Sequence, residues 1–449
     1  MSGPFIRRST AKVSVGVDFG THSTKVAFFE LGVGARAVRP LRFHHDLSDW
    51  ADFTLPSLGV IRNGALLWGA AAATALQNKR WNEGIRRLKV LLTAVGDMEF
   101  ADQRLLEDYR RELESARVDA KVWSPQHVAA AALAIQIQTI LTQLREQFRD
   151  RQIDARFTIP VPIDHIQDST VLGIYRRVTR TAEQLLKDDG SLRFKPDELV
   201  DAAAQEFAQA TAIESGDSLI YTLPEAVAQI ASYLTSLEAT SGVHGVIDIG
   251  AGTTDFCVFL LERPERNVQI CFWYSALAVP KAASLAQRLV AIEFNRDHPG
   301  EPLGEGGMIK ACAQHPAAVG RALEQIRLAG HRAWVEGYRH LMQETQWHGC
   351  PIFLCGGGAL LPGARKEFHK CWMPQWPLHA VRDLPLPHEY KGDNVPFSRM
   401  SVAYGLSIPG PEHGHFILPK DSPNHTPPKR YRRYEGMGGD QLYPTPDWL

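Results

Sequence analysis

Val17-Asp18-Phe19-Gly20-Thr21-His22-Ser23-Thr24-Lys25 decides the reading of this chain, because Ile247-Asp248-Ile249-Gly250-Ala251-Gly252-Thr253-Thr254-Asp255 echoes it about half the chain later. Each copy is an apolar run, an Asp, a Gly-rich turn, a Thr and a second run. Val13 to Phe19 is apolar at nearly every position, as a strand buried on both faces is. Lys25 to Glu30 and Asp255 to Leu261 read as the return strands. A tight Gly/Thr turn presents backbone N–H groups and hydroxyls with no bulky Cβ in the way, which suits phosphate oxygens. The Asp at each strand end adds a hard oxygen ligand, and two such ligands suit a magnesium ion that keeps most of its waters. One Gly-rich hairpin is commonplace. Two at equivalent positions predict two similar lobes facing each other.

The rest of the composition leaves room for that architecture. The chain has 449 residues, enough for two to four domains at roughly 100–200 residues each. It is 44% hydrophobic and 22% charged, with 49 Lys+Arg against 50 Asp+Glu. That is globular composition with no bulk charge to recruit nucleic acid or a membrane surface. The six cysteines (Cys257, Cys271, Cys312, Cys350, Cys355 and Cys371) include no CxxC pair and sit mostly among apolar residues. They predict free thiols, a reducing compartment and a cytoplasmic location. Met1 to Lys12 lacks the apolar run of a signal peptide, and no window approaches eighteen consecutive apolar residues, so no membrane span is expected.

Outward from the first hairpin, Leu55 to Trp68 predicts strand, Asn63-Gly64 turn, strand. Ala70 to Gln77 is helical by composition. Ser124-Pro125 predicts an N-cap and first-turn proline ahead of a long amphipathic helix over Gln126 to Arg149. Arg156 to Pro160 and Ser218 to Thr222 read as strands. Ile163 to Lys187, Pro196 to Ala212 and Ala226 to Leu237 read as helices. After the second hairpin (Gly245 to Ile249, then Asp255) come a strand at Val268 to Ser275 and helices at Ala282 to Asn295 and Pro316 to Thr345. Pro351 to Cys355 is a strand running into Gly356-Gly357-Gly358. From Pro409 the composition turns to Pro, Gly, His and Tyr with little periodicity, predicting a tail that is either disordered or extended along the body.

The two hairpins and the Cys355-Gly356-Gly357-Gly358-Ala359-Leu360-Leu361-Pro362 turn resemble the phosphate-one, phosphate-two and adenosine motifs of the actin, heat-shock-chaperone and sugar-kinase superfamily. The ATPase domain of DnaK-type seventy-kilodalton heat-shock chaperones looks closest. Leu55-Pro56-Ser57 with Trp68-Gly69-Ala70-Ala71, Phe157 to Pro162, Leu223 to Ala228 and Ser401 to Leu406 resemble further segments of those chaperones in the same order, over residues 13 to 408. The resemblance implies an α/β, two-lobed actin-like ATPase fold built from duplicated ribonuclease-H-like domains with a nucleotide cleft between them. It divides the chain into 1-222, 223-408 and a tail, 409-449. It implies ATP or ADP with Mg2+ as cofactors. Asp18 and Asp248 would orient the metal. Gly20, Thr21 and His22 would hold phosphate from one side, and Gly250, Ala251, Gly252 and Thr253 from the other. Gly356, Gly357 and Gly358 would line the nucleoside. Asp255 would stand near the attacking water. The family's phosphate-contacting lysine has two candidates here, Lys89 and Arg86, against the plainer reading of Arg86, Arg87 and Lys89 as a solvated helix face.

Several positions depart from the family. Leu223 stands where the first connecting segment carries a catalytic glutamate, with Glu225 two residues on. Leu360 replaces an arginine that stacks on adenine. Ala278-Val279-Pro280-Lys281-Ala282 replaces an acidic loop, and Glu324 to Arg327 has only the spacing of the nucleoside helix. The expected function is therefore ATP binding with slow hydrolysis, in a chaperone-like switch that acts through a partner protein. An actin-like filament ATPase and a binding-only pseudo-ATPase are the alternatives, with a small-molecule kinase behind them. His44-His45-Asp46 and His413/His415 lack the third and fourth ligands of a metal site. Pro427 to Tyr434, basic with interleaved aromatics, reads as a solvated tail segment before it reads as a nucleic-acid contact.

Overall fold

In a computed structural model, the described residues are 9–48, 50–76, 84–96, 103–149, 151–162, 169–211, 218–265, 268–299, 303, 305–341, 347, 349–370 and 380–423. Over the described residues the chain is mixed α/β, built on two six-stranded mixed sheets and a small third sheet. The first sheet contains β1 (Thr10–Phe19), β2 (Ser23–Glu30), β3 (Arg39–Pro40), β4 (Thr54–Pro56), β8 (Gln152–Val161) and β9 (Ile220–Pro224). Its order is β3-β2-β1-β8-β9, with β4 also on β2. The third sheet is β5 (Leu58–Arg62), β6 (Ala65–Trp68) and β7 (Ile85–Arg86), in the order β6-β5-β7. Asn63 and Gly64 close its hairpin at φ of 50° and 77°, the doubly left-handed turn that Asn-Gly predicts.

The second sheet holds β10 (Gly242–Ile249), β11 (Thr254–Glu265), β12 (Val268–Val279), β13 (Pro351–Cys355), β14 (Ala380–Arg382) and β15 (His415–Ile417). Its order is β14-β13-β10-β11-β12-β15. Both large sheets follow one plan. The first strand turns back antiparallel (β1/β2, β10/β11) and a third strand extends that edge (β3, β12). Two later strands join parallel on the other side (β8 and β9, β13 and β14). Registers match too: Asp18 faces Lys25 as Asp248 faces Asp255, and Phe19 faces Thr24 as Ile249 faces Thr254.

The first sheet is backed by α2 (Leu88–Gly96), α3 (Gln103–Ala116), α4 (Pro125–Gln147), α5 (Ser169–Gln184) and α6 (Leu199–Gln209), which follow α1 (Ala70–Ala75). Ser124 caps α4 by accepting from the N–H of His127 at 3.4 Å, and Pro125 opens the helix, as its sequence predicts. By length and composition α4 could cross a membrane, but Val128 to Leu144 are largely buried in this core, and Gln136 from the same helix reaches the first hairpin. The second sheet is backed by α9 (Ala283–Asp297), α10 (Glu305–Gln314), α11 (Pro316–Ala329), α12 (His331–His340) and, after β13, α13 (Ala364–Phe368).

Two short helical segments cross between the sheets. α7 (Glu225–Gln229), followed by α8 (Ala231–Leu234), packs under the second sheet through Ala226, Val227 and Ile230. α14 (Phe397–Ser407) packs on the first through Met400, Ala403 and Tyr404. The two meet so closely that a Cβ on Gly405 would fall on the carbonyl oxygen of Ala228 and 2.6 Å from its carbon. Gln229 donates to Ser401 Oγ at 2.8 Å in the same contact.

Several expected elements changed extent. Ala226 to Leu237 splits at Ile230, and Pro316 to Thr345 breaks at Gly330, where the backbone abuts the Phe256 ring. Residues 342–346 of that expected helix, 163–168 of another, 424–449 of the tail and Cys371 lie outside the described residues. Residues 409–423 do run along the body. Glu412 pairs with Arg36, His413 Nε2 lies 2.8 Å from the Gly405 carbonyl, β15 adds to β12 in parallel, and Ser422 donates to the Trp273 carbonyl at 2.8 Å.

Candidate functional site

The two hairpin turns share one hydrogen bond just past the Asp. The Gly20 N–H reaches back to the Asp18 carbonyl at 2.9 Å, and the Gly250 N–H to the Asp248 carbonyl at 3.2 Å. Each turn therefore folds sharply just past its Asp. The turns also meet: a Cβ on Gly252 would lie 2.7 Å from Thr21 Cγ2 and 2.7 Å from Val90 Cγ2. Only glycine lets the second turn approach the first and α2 this closely. Asp18, Thr21, Asp248 and Gly252 are thus brought to one place from the two halves of the sequence.

Four carboxylates and two lysines gather there. Asp18 is buried and ion-paired with Lys25, its cross-strand neighbour. Lys89, on the first turn of α2, is ion-paired with Glu225, the first residue of α7. Burial pushes the Asp248 carboxyl up to about 7, and Glu225 and Asp18 push the same way against Lys25 and Lys89. For Lys89 burial acts downward, but Glu225, Tyr175 and Asp18 hold its ammonium above the ordinary lysine value. Asp255 stands opposite Asp248 across the β10/β11 ladder and beside Ala278 of β12. The Asp18 carboxylate also acts on the partly buried Arg399 guanidinium. A cavity of about 10 Å³, room for about one water, is lined by Glu225, Ala226, Gln229, Val246, Asp248, Asp255 and Cys257.

The third Gly-rich segment closes over this cluster. Gly356 has φ 80° and ψ 173°, a region essentially reserved for glycine. A Cβ there would fall on Asp248 Oδ1 and 2.6 Å from the Ile249 carbonyl oxygen. Its N–H donates to the Ser398 carbonyl at 3.2 Å, tying the segment to α14. Gly358 packs on Ile249, whereas Gly357 has open space beside it. The expected group Asp18, Gly20, Thr21, Asp248, Gly250, Gly252, Asp255 and Gly356 therefore converges. Ala251 and Thr253 belong to the same turn, but the turn's carbonyls are engaged on α9: Gly250 O accepts from the Ala283 N–H at 3.0 Å and Ala251 O from Ser284 at 3.3 Å. His22 faces Trp50, with ring centroids 4.7 Å apart.

Of the two cations in competition, the structure brings Lys89 to the acids. Arg86 sits in β7 opposite Leu58. Leu223 lies in β9, and Glu225 supplies the carboxylate at the strand-to-helix junction. Arg327 is spent on a buried ion pair with Glu367 at 2.9 Å, and Leu360 is exposed. Sequence reasoning missed Lys25; the signal was its place in the hairpin register, opposite Asp18. It also missed the second row of the first hairpin, where Thr24 donates to Gln136 Oε1 at 3.1 Å and lies 3.3 Å from Ser57 Oγ.

The donor set fits a phosphate chain with a hydrated magnesium. Among the described residues no group of three or more His, Cys, Asp or Glu forms a metal cage. The two carboxylates of Asp18 and Asp248 suit Mg2+ instead, which takes one or two protein oxygens and fills its shell with water and phosphate. Lys25 and Lys89 offer the cations that phosphate oxygens need. Thr254 Oγ1, at the base of the second turn, is buried with no hydrogen-bond partner. No known protein family and no curated protein sequence matches the chain.

Proposed function

We propose that this protein has a two-lobed, actin-like ATPase fold and binds ATP or ADP with Mg2+ between its two hairpins. It hydrolyses ATP slowly and uses the cycle as a chaperone-like switch on a partner protein. The observation that carries this reading is the meeting of two hairpins of matching register, each with an Asp at its strand end, at Thr21 and Gly252. The two crossing segments α7 and α14 form a packed joint under that meeting point, where a change in the separation of the sheets would be felt.

In this reading Gly20, Thr21 and His22 face the phosphates from one side, and Gly250 to Thr253 from the other. Bound magnesium supplies positive charge to the phosphate oxygens. Asp18 and Asp248 would hold that ion, and Lys25 and Lys89 would offset phosphoryl charge. Asp255 and Glu225 border the one-water cavity and orient water there by accepting its hydrogens. Such a site works by positioning and charge rather than covalent chemistry. A cytoplasmic location belongs to the proposal; the five described cysteines are free and buried. A binding-only role is the second reading, favoured by Leu223 in β9 standing where the resembled family carries a catalytic glutamate and by Leu360 being exposed where it carries an arginine. Phosphate release from saturating Mg-ATP, in wild type and Asp248→Ala, tests the first reading. Release that the substitution abolishes is expected. ATP binding without release in either protein would select the second reading, and no binding would end both.

A further inference from the structure

The first turn of α2 touches the other half of the molecule twice. Val90 packs where Gly252 leaves space, and Lys89 is paired with Glu225 at the head of α7. Both partners of that pair are largely buried, with side-chain exposures of 11% and 14%. The cation best placed to meet a phosphate is therefore engaged by a carboxylate, an oxygen anion of the same sign and similar bite. Lys25 is likewise engaged by Asp18. Both lysines are thus already neutralised by carboxylates at the spot where a ligand anion would be neutralised.

We propose that Glu225 is an intramolecular competitor for the phosphate subsite: it occupies Lys89 and holds α2 to α7 until a polyphosphate displaces it. This rests on the nucleotide reading above and adds regulation to it. Binding is then an exchange of one anion for another on Lys89. The α2 to α7 link breaks as the ligand enters, so a partner that draws Glu225 away would raise nucleotide affinity without touching nucleotide. Glu225 also acts on Asp248 through space, so its charge opposes an arriving anion through the field of the site as well. Buried charges acting on one another at these ranges are worth tenfold effects or more.

Calorimetric titration of pyrophosphate, and separately of Mg-ADP, tests the exchange in wild type, Glu225→Gln, Lys89→Met and the double variant. Gln keeps an oxygen that can accept from Lys89, so the fold has a neutral substitute, and the double variant removes both charges together. Circular dichroism melting confirms that each variant is folded. The expected result is pyrophosphate binding about tenfold tighter in Glu225→Gln than in wild type. Most of that gain should vanish when Lys89 is Met. Unchanged or weaker binding in Glu225→Gln would overturn the exchange, as would a gain that persists in full without Lys89. If wild type binds Mg-ADP and Glu225→Gln binds neither ligand better, the competitor fails and the nucleotide site stands. If Glu225→Gln gains pyrophosphate while neither protein binds Mg-ADP, the competitor stands and the nucleotide reading fails. If nothing binds to any variant, both fail.

Discussion

Replacing Gly356 by Ala is expected to damage the protein severely, while the same change one residue later is expected to leave its stability unchanged. At Gly356 the backbone lies at φ 80°, ψ 173°, where an L side chain costs about 1–3 kcal/mol. The new Cβ would also fall on Asp248 Oδ1 and 2.6 Å from the Ile249 carbonyl oxygen. Relieving that overlap means shifting β10 or the Asp248 side chain, at a further cost of about 1–3 kcal/mol. Together these amount to about 4 kcal/mol, a large share of the stability of a domain. Gly357 has no positive φ and nothing within 4 Å of where an alanine methyl would stand, so Ala there should change stability by less than about 0.5 kcal/mol. Urea unfolding followed by tryptophan fluorescence reads the difference, since Trp273 and Trp334 are both buried in the second half. Mg-ADP titration of the same proteins should show at least about tenfold weaker binding for Gly356→Ala, because Asp248 is displaced. Equal stability of the two variants would refute the argument that the Gly-rich segment is pressed onto Asp248.

Four other outcomes follow from the same geometry. Asp248 has its carboxyl raised to about 7 from an unfolded value near 3.8, so the folded state holds the extra proton between those limits. Stability from this group is present below about pH 4 and lost as pH rises through 7, by as much as about 4 kcal/mol. Asp248→Asn should therefore unfold at higher urea than wild type at pH 8, with the gap closing by pH 4, even as magnesium-dependent binding is lost. Lys89→Ala should weaken Mg-ADP binding about tenfold or more in calorimetry, and Arg86→Ala should leave it within about twofold. Gly405→Ala, which drives a methyl into the Ala228 carbonyl, should cost about 3 kcal/mol in urea unfolding. Arg36→Ala should loosen the strap around Glu412: hydrogen exchange there should speed up with a stability change of under about 1 kcal/mol, because the Arg36–Glu412 pair is partly exposed.

The parts of this fold that were legible in the sequence are those fixed by local rules. The paired hairpins were readable because a Gly-rich turn after an apolar run is a local signature. Asn63-Gly64 and Ser124-Pro125 were readable because a turn type and a cap each demand particular residues. α3 carries its signal too: Leu105, Tyr109 and Leu113 recur at helical spacing and are buried, but a charged background hid them. The splits at Ile230 and Gly330 were not readable, because what decides them is a distant partner, such as the Phe256 ring against Gly330. In the site, the acids Asp18 and Asp248 stood out by position in the repeat. Glu225 stood out only as a neighbour of Leu223, not as the partner of Lys89, and Lys25 did not stand out, since their significance lies in what they face: Lys25 across a strand ladder, and Glu225 across the boundary between two halves of the chain.

Hydrogen–deuterium exchange of the wild-type protein with and without Mg-ADP tests the central claim most directly. If one nucleotide is held between the two hairpins, residues 20–24, 250–254 and 356–358 should all slow together on adding Mg-ADP, and control additions of magnesium alone should leave them unchanged. Protection confined to one hairpin, or no protection at saturating Mg-ADP, would contradict a site built from both.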